Sequence, residues 1–148
     1  MQIEKLKFTG EVTIRRYNEI SGELLEERVI KNLVVTTGIN WIIDRLKNAS
    51  NVMSHLAVGT NTTAAAAANT ALGAELTRVA LTSSTPSAGT ITYVASLPAG
   101  TATGALTEAG LFNAPTGGTM LARTVFPVVN KGAKDAISIT WAITAAVV

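Results

Sequence analysis

The sequence predicts a mainly β protein: an antiparallel β-sandwich or barrel-like domain with one short amphipathic helix at about residues 38–48. Three observations carry this. Short apolar-alternating runs recur between clusters of Gly, Pro, Asn, Ser and Thr. Only one stretch has helical periodicity. No strand–helix–strand repeat is present, so a parallel α/β sheet is not expected.

"EVTIRRY" (Glu11–Tyr17) alternates, with Val12 and Ile14 on one face. "NEISGE" supplies turn residues, and "ELLEERVIKNLVV" (Glu23–Val35) follows as a β-rich run, so the two read as an antiparallel hairpin. In "TTGINWIIDRLKNAS", Ile39, Ile42, Ile43 and Leu46 fall at i, i+3, i+4, i+7, the spacing of one helical face. Thr36 or Thr37 is the expected N-cap, and Trp41 is expected to pack beside that face. Residues 1–9 precede the hairpin, as a mobile arm or an added strand.

Composition breaks near Asn48–Asn51, dividing an N-terminal arm, hairpin and helix (1–50) from a β domain (51–148), the two packed as one unit. "SHLAVGT" reads as a short strand ending at Gly59, and "NTTAAAAANTALG" as a loop with at most one helical turn, since five alanines are too few to hold a helix alone. "ELTRVALTS" reads as a strand and "STPSAG" as a turn. In "TITYVASLP", Ile91, Tyr93, Ala95 and Leu97 share a face. "GALTEAGLFNA" and "TMLARTVFPVV" flank "PTGG" as a hairpin, with Pro127 expected at a strand end or sheet edge. "NKGAKD" is a turn, and "AISITWAIT" closes the chain with Ile137, Ile139, Trp141 and Ile143 on one face.

Charge is unevenly placed. Residues 1–47 hold 8 of the 12 Lys/Arg and 7 of the 10 Asp/Glu. The last hundred residues keep only Glu75, Arg78, Glu108, Arg123, Lys131, Lys134 and Asp135. A typical soluble domain is about 25% charged. Either a Thr/Ser-rich β surface keeps this segment in solution, or an assembly covers much of it. The net charge of +2 comes without a basic cluster, so no nucleic-acid partner is expected. No apolar run is long enough to span a membrane, and "MQIEKLKFTGEV" lacks the apolar core of a secretory leader.

The residues available for catalysis are few. Cysteine is absent and His55 is the only histidine, which leaves no thiol chemistry and a poor ligand set for zinc. No Gly-x-Ser-x-Gly elbow, dinucleotide fingerprint or phosphate loop is present. Glu75 and Glu108 are conceivable paired carboxylates, but few aromatics accompany them to stack on a sugar. No catalytic, cofactor or metal residues are therefore assigned. Glu108 and Arg123 stand on the two arms of the predicted hairpin, and Arg78 is a third candidate partner. An unpaired charge in a half-buried sheet costs several kcal/mol. Glu108 is expected to pair with Arg123 or Arg78 as a structural tie, within the sheet or across a subunit boundary.

Two stretches resemble structural proteins of tailed bacteriophages. The first is "GEVTIRRYNEISGELLEERVIKNLVVTTGINWIIDRL", a strand pair, a linking "KNLVVTTG" and an amphipathic helix. The second is "MSHLAVGTNTTAAAAANTALGAELTRVALTS" with "GALTEAGLFNAPTGGTMLARTVFPVVNKGAKDAISITWAIT", similar to the β domain of capsid decoration (cement) proteins and of some tail-fibre or baseplate proteins. The resemblance implies a non-enzymatic virion protein on the capsid exterior, made in the host bacterial cytoplasm. It implies attachment to the major capsid protein, self-association as a homotrimer and reinforcement of the shell. A tail, baseplate or small-fibre component is the other role it allows. It also implies a capsid-contacting arm, here Met1, Gln2, Ile3, Glu4, Lys5 and Leu6. No residue-level functional motif carries over.

Overall fold

The computed structural model describes residues 5–148. The chain is mainly β with one short helix, in the order β1 (Leu6–Asn18), β2 (Leu24–Val34), α1 (Thr36–Asp44), β3 (His55–Gly59), β4 (Glu75–Ala80), β5 (Ser83–Ser87), β6 (Thr90–Leu97), β7 (Gly104–Phe112), β8 (Met120–Lys131) and β9 (Asp135–Val147). All pairings are antiparallel, in one sheet ordered β4-β3-β7-β8-β2-β1-β9-β6-β5.

That sheet curls into a half-barrel. Its weak point is β2–β8, where only Leu33 and Val34 pair, with Arg123 and Ala122. Beyond these the two strands diverge, and Arg28 of β2 donates to the carbonyls of Pro127 and Val128 on β8. The sheet thus has two halves, layer A (β2-β1-β9-β6-β5) and layer B (β4-β3-β7-β8). One apolar cluster joins them: Val12, Tyr93, Leu97, Ile139 and Trp141 from layer A meet Leu56, Leu106, Leu111, Leu121 and Phe126 from layer B. The alternation read in "TITYVASLP" and "AISITWAIT" is the inner face of layer A. Trp141 lies opposite Val12 on one side and Tyr93 on the other. Burying a large apolar side chain of this kind contributes roughly 1.5–3 kcal/mol.

Several sequence expectations change. Of the two readings for residues 1–9, the added strand holds for 6–9: β1 starts at Leu6, pairing with Val147. Met1–Glu4 of the expected capsid-contacting arm lie outside the described residues. "STPSAG" is not only a turn: Ser83–Ser87 form edge strand β5, where Pro86 is tolerated. Pro127 lies inside β8, at a bulge where Thr107 alone faces Phe126, Pro127 and Val128.

The helix is shorter than residues 38–48, and a different face is turned inward. Its N-cap is Val35 with no side-chain cap bond, and the Thr37 hydroxyl donates to the Met120 carbonyl instead. Gly38 is the buried helical residue, and a Cβ there would lie 2.2 Å from the Leu121 carbonyl oxygen. This backbone contact points Trp41 and Ile42 at the core and leaves Ile43 and Leu46 in solvent.

Candidate functional site

Strand β7 is buried on both faces from Leu106 to Phe112. One face meets layer A. The other lies beneath the residue 60–74 segment, the low-complexity "TNTTAAAAANTALGA". Loops of this length without secondary structure are uncommon in compact domains, and here the physical cause of order is visible. Leu72 packs with Val35, Ala57, Phe112 and Met120 in a second apolar cluster. Gly59 and Gly110 let the loop sit close, since a Cβ at Gly59 would lie 2.3 Å from the Ala74 carbonyl oxygen and one at Gly110 2.9 Å from Leu72.

The rest of the order comes from charge. Glu108 and Arg123 meet at 2.9 Å with side chains 0% and 3% exposed. The Glu108 carboxylate accepts from the backbone N–H groups of Ala74 (2.7 Å), Gly73 (3.0 Å) and Asn61 (3.3 Å) as well as from Arg123. Arg123 also donates to the side-chain carbonyls of Asn69 and Asn61 and to the Thr63 backbone carbonyl. The neighbouring Thr107 hydroxyl donates to the Asn61 carbonyl. One ion pair thus holds both ends and the middle of the loop. Burial pushes the Glu108 carboxyl up, but the N–H groups of Ala74 and Gly73, the Arg123 guanidinium and the Asn61 N–H outweigh it, and its pKa lies below the ordinary carboxylate value.

Arg78, the third residue expected in this cluster, is elsewhere. It pairs with Glu75 at 2.7 Å, lies 3.8 Å from the centre of the Phe112 ring, and donates to the carbonyls of Ala114 and Gly117. It fastens the β7–β8 turn to β4. Lys131 is buried too, donating to the carbonyls of Pro98 and Asp135. Burial lowers its pKa, opposed by Asp135 and Glu19. Of the seven charged residues after Lys47, Glu108, Arg123 and Lys131 are therefore hidden, so the exposed surface carries still less charge than the sequence suggested.

The outer face of layer A shows the consequence. Strands β5 and β6 have no charged residue, and β9 has only Asp135 at its start. Across them the register aligns Thr13, Thr140 and Val94 in one row, Glu11 of β1 with Ala142, Thr92 and Thr85 in the next, and Thr9, Thr144, Thr90 and Ser87 in a third. The Thr90 and Thr144 hydroxyls are 2.8 Å apart. Charge on this outer face lies on β1 and β2, as in the Arg15–Glu27 pair, while Arg16, on the side of Val12 and Ile14, sits between Glu26 of β2 and Asp135 of β9.

His55 stands in β3 with its Nδ1 2.7 Å from the Ser54 hydroxyl. Among the described residues, no three acidic, His or Cys side chains gather to hold a metal ion. Among the same residues, no helix is long and apolar enough to cross a membrane. Lys5 and Leu6, from the expected arm, join the edge of the described structure: the Lys5 carbonyl accepts from Val148, and Leu6 faces Val147. No family model, no curated protein and no solved structure matches the chain.

Proposed function

We propose that this chain is a non-enzymatic structural protein of a tailed-bacteriophage virion. It binds the outer surface of the capsid as a decoration (cement) protein and stabilises the shell. Its partners are the major capsid protein and further copies of itself, as a homotrimer. The observation that carries this reading is the uncharged Thr/Ser/Ala outer face of β9, β6 and β5. Burying charge at an interface costs several kcal/mol unless it is paired. A ladder of hydroxyls and methyls avoids that cost and still offers hydrogen bonds, in keeping with the depletion of charge at interface cores. The sequence resemblance supplies the virion.

The experiment is a count of copies per particle in purified virions by quantitative mass spectrometry. Hundreds of copies support decoration of the shell. A dozen or fewer would move the protein to the tail or baseplate, and none would refute the virion reading.

A further inference from the structure

The two ends of the sandwich are unlike, and they are complementary. At one end β1 turns into β2 through Asn18–Leu24. Turn tips are ordinarily polar, yet Ile20 at this tip is 84% exposed. The turn is also well ordered. The Asn18 side-chain carbonyl accepts from the N–H groups of Ile20 and Ser21, the Asn18 backbone carbonyl from Gly22, and the Ser21 hydroxyl from Glu23. Gly22 supplies the positive φ of 72° that the turn requires. Glu19 accepts from Ala99 of the neighbouring turn. Ile20 is thus a fixed apolar knob. Glu19 and Glu23 flank it, with Lys134 the nearby cation.

At the other end, α1 leaves an apolar crevice of about 210 Å³ against layer A, lined by Phe8, Trp41, Ile42, Ile91, Tyr93 and Ile143. An apolar cavity of about 150 Å³ takes up a benzene-sized group, so the four carbons of an isoleucine side chain fit. Leu6, Ile43, Leu46 and Val147 are exposed at the same end. Among the described residues on the crevice side, the exposed charges are Arg45, which lies over the Trp41 ring, and Lys47 against Asp44, while Lys7 is on the opposite face with Thr9. Knob and crevice lie at opposite ends of β1. At ~3.3 Å per residue they are roughly 33 Å apart, so one copy cannot fill its own crevice.

We infer that copies of this chain associate head to tail, with Ile20 of one copy seated in the crevice beneath α1 of the next and Glu19 and Glu23 facing its basic rim. The contact is heterologous, so it closes into a ring when the rotation permits and otherwise stacks. The inference deepens the self-association proposed above and rests on it, not on the capsid. Opposite charges at the rim make the association sensitive to salt.

The test is sedimentation analysis with two charge-reversed chains, one carrying Glu19→Lys and Glu23→Lys, the other Arg45→Glu and Lys47→Glu. All of these positions are exposed, and circular dichroism checks the fold. The wild-type chain is expected to assemble with rising concentration. Each reversed chain alone is expected to associate at least tenfold more weakly, and an equimolar mixture to recover association, because both kinds of junction are then complementary. Ile20→Asp is expected to weaken association at least tenfold at any salt concentration. A wild-type chain that stays monomeric, reversed chains that assemble as well as wild type, or a mixture that fails to recover would overturn the inference. Assembly in solution without capsid binding would refute the capsid role alone; capsid binding by a strict monomer would leave the capsid role standing and refute this inference together with the proposed homotrimer.

Discussion

Arg15 and Glu27 face each other across β1 and β2 at 2.8 Å, and Arg123 and Glu108 meet across β8 and β7 at 2.9 Å. The distances are nearly equal, but the surroundings differ. The first pair lies on the open face of layer A with both side chains more than 40% exposed, where water screens it. The second lies under the 60–74 loop, sealed from water and saturated with hydrogen bonds. Taking a pair out of water is costly unless the remaining lone pairs and protons are satisfied. Here the groups that satisfy them are the loop's own backbone and amides. In layer B charge serves folding by fixing a loop that has little apolar surface of its own. On the outer face of layer A charge lies on β1 and β2, as in the exposed Arg15–Glu27 pair, and the strands β9, β6 and β5 beyond them are neutral there.

The largest test of that contrast is Glu108→Gln. It leaves Arg123 buried without a counter-charge and replaces one of the two accepting oxygens, Oε1 for Asn61 and Ala74 or Oε2 for Gly73 and Arg123, with an NH2 donor. Breaking a buried pair costs about 3–5 kcal/mol, and urea unfolding is expected to show a loss of that size, with the loop newly open to protease. A loss under about 1 kcal/mol would mean the loop is held by Leu72 alone. Gly59→Ala is next. The added Cβ meets the Ala74 carbonyl and the Glu108 carboxylate, and overpacking of this kind costs about 1–3 kcal/mol. Arg15→Ala is the smallest, with no resolvable shift of the unfolding midpoint expected. A shift comparable to that of Glu108→Gln would erase the contrast.

Acid sharpens the same comparison. The Glu108 carboxyl titrates below its ordinary value of 4.5 in the folded chain. A depressed folded pKa contributes stability that is present above the unfolded value and lost as pH falls through the folded one. Stability is therefore expected to hold down to about pH 4.5 and to decline below it. The low-pH slope should be shallower in Glu108→Gln, as read from urea midpoints across pH. Equal slopes in the two proteins would show that other carboxylates, Asp135 among them, carry the acid sensitivity.

Much of layer A was legible in the sequence. Ile137, Ile139, Trp141 and Ile143 alternate because one face of β9 is buried and the other is wet, and β6 follows the same rule. The hairpin about Pro115–Gly118 was legible from its turn residues, and Glu108 and Arg123 from the rarity of charge in a strand. Tertiary contacts hid the rest. Ile43 and Leu46 keep helical spacing, but the close approach of Gly38 to Leu121 chooses another face. The 60–74 loop has a disordered-looking composition, and its order depends on Glu108 and Arg123, dozens of residues away. The burial of Lys131 has no local signal either, because its acceptors are the carbonyls of Pro98 and Asp135. The Ile20 knob could have been noticed as a lone large apolar residue inside the polar "NEISGE".

The contrast between the layers is tested most directly by placing one charge on each outer face and measuring binding to capsid shells that lack this protein. Thr140→Lys adds a lysine to a neutral row of layer A, and Ala67→Lys adds one to the exposed loop over layer B. Thr140→Lys is expected to weaken shell binding at least tenfold, with Ala67→Lys binding like wild type. Equal effects from the two, or the larger loss from Ala67→Lys, would contradict the assignment of the layer A face to the shell.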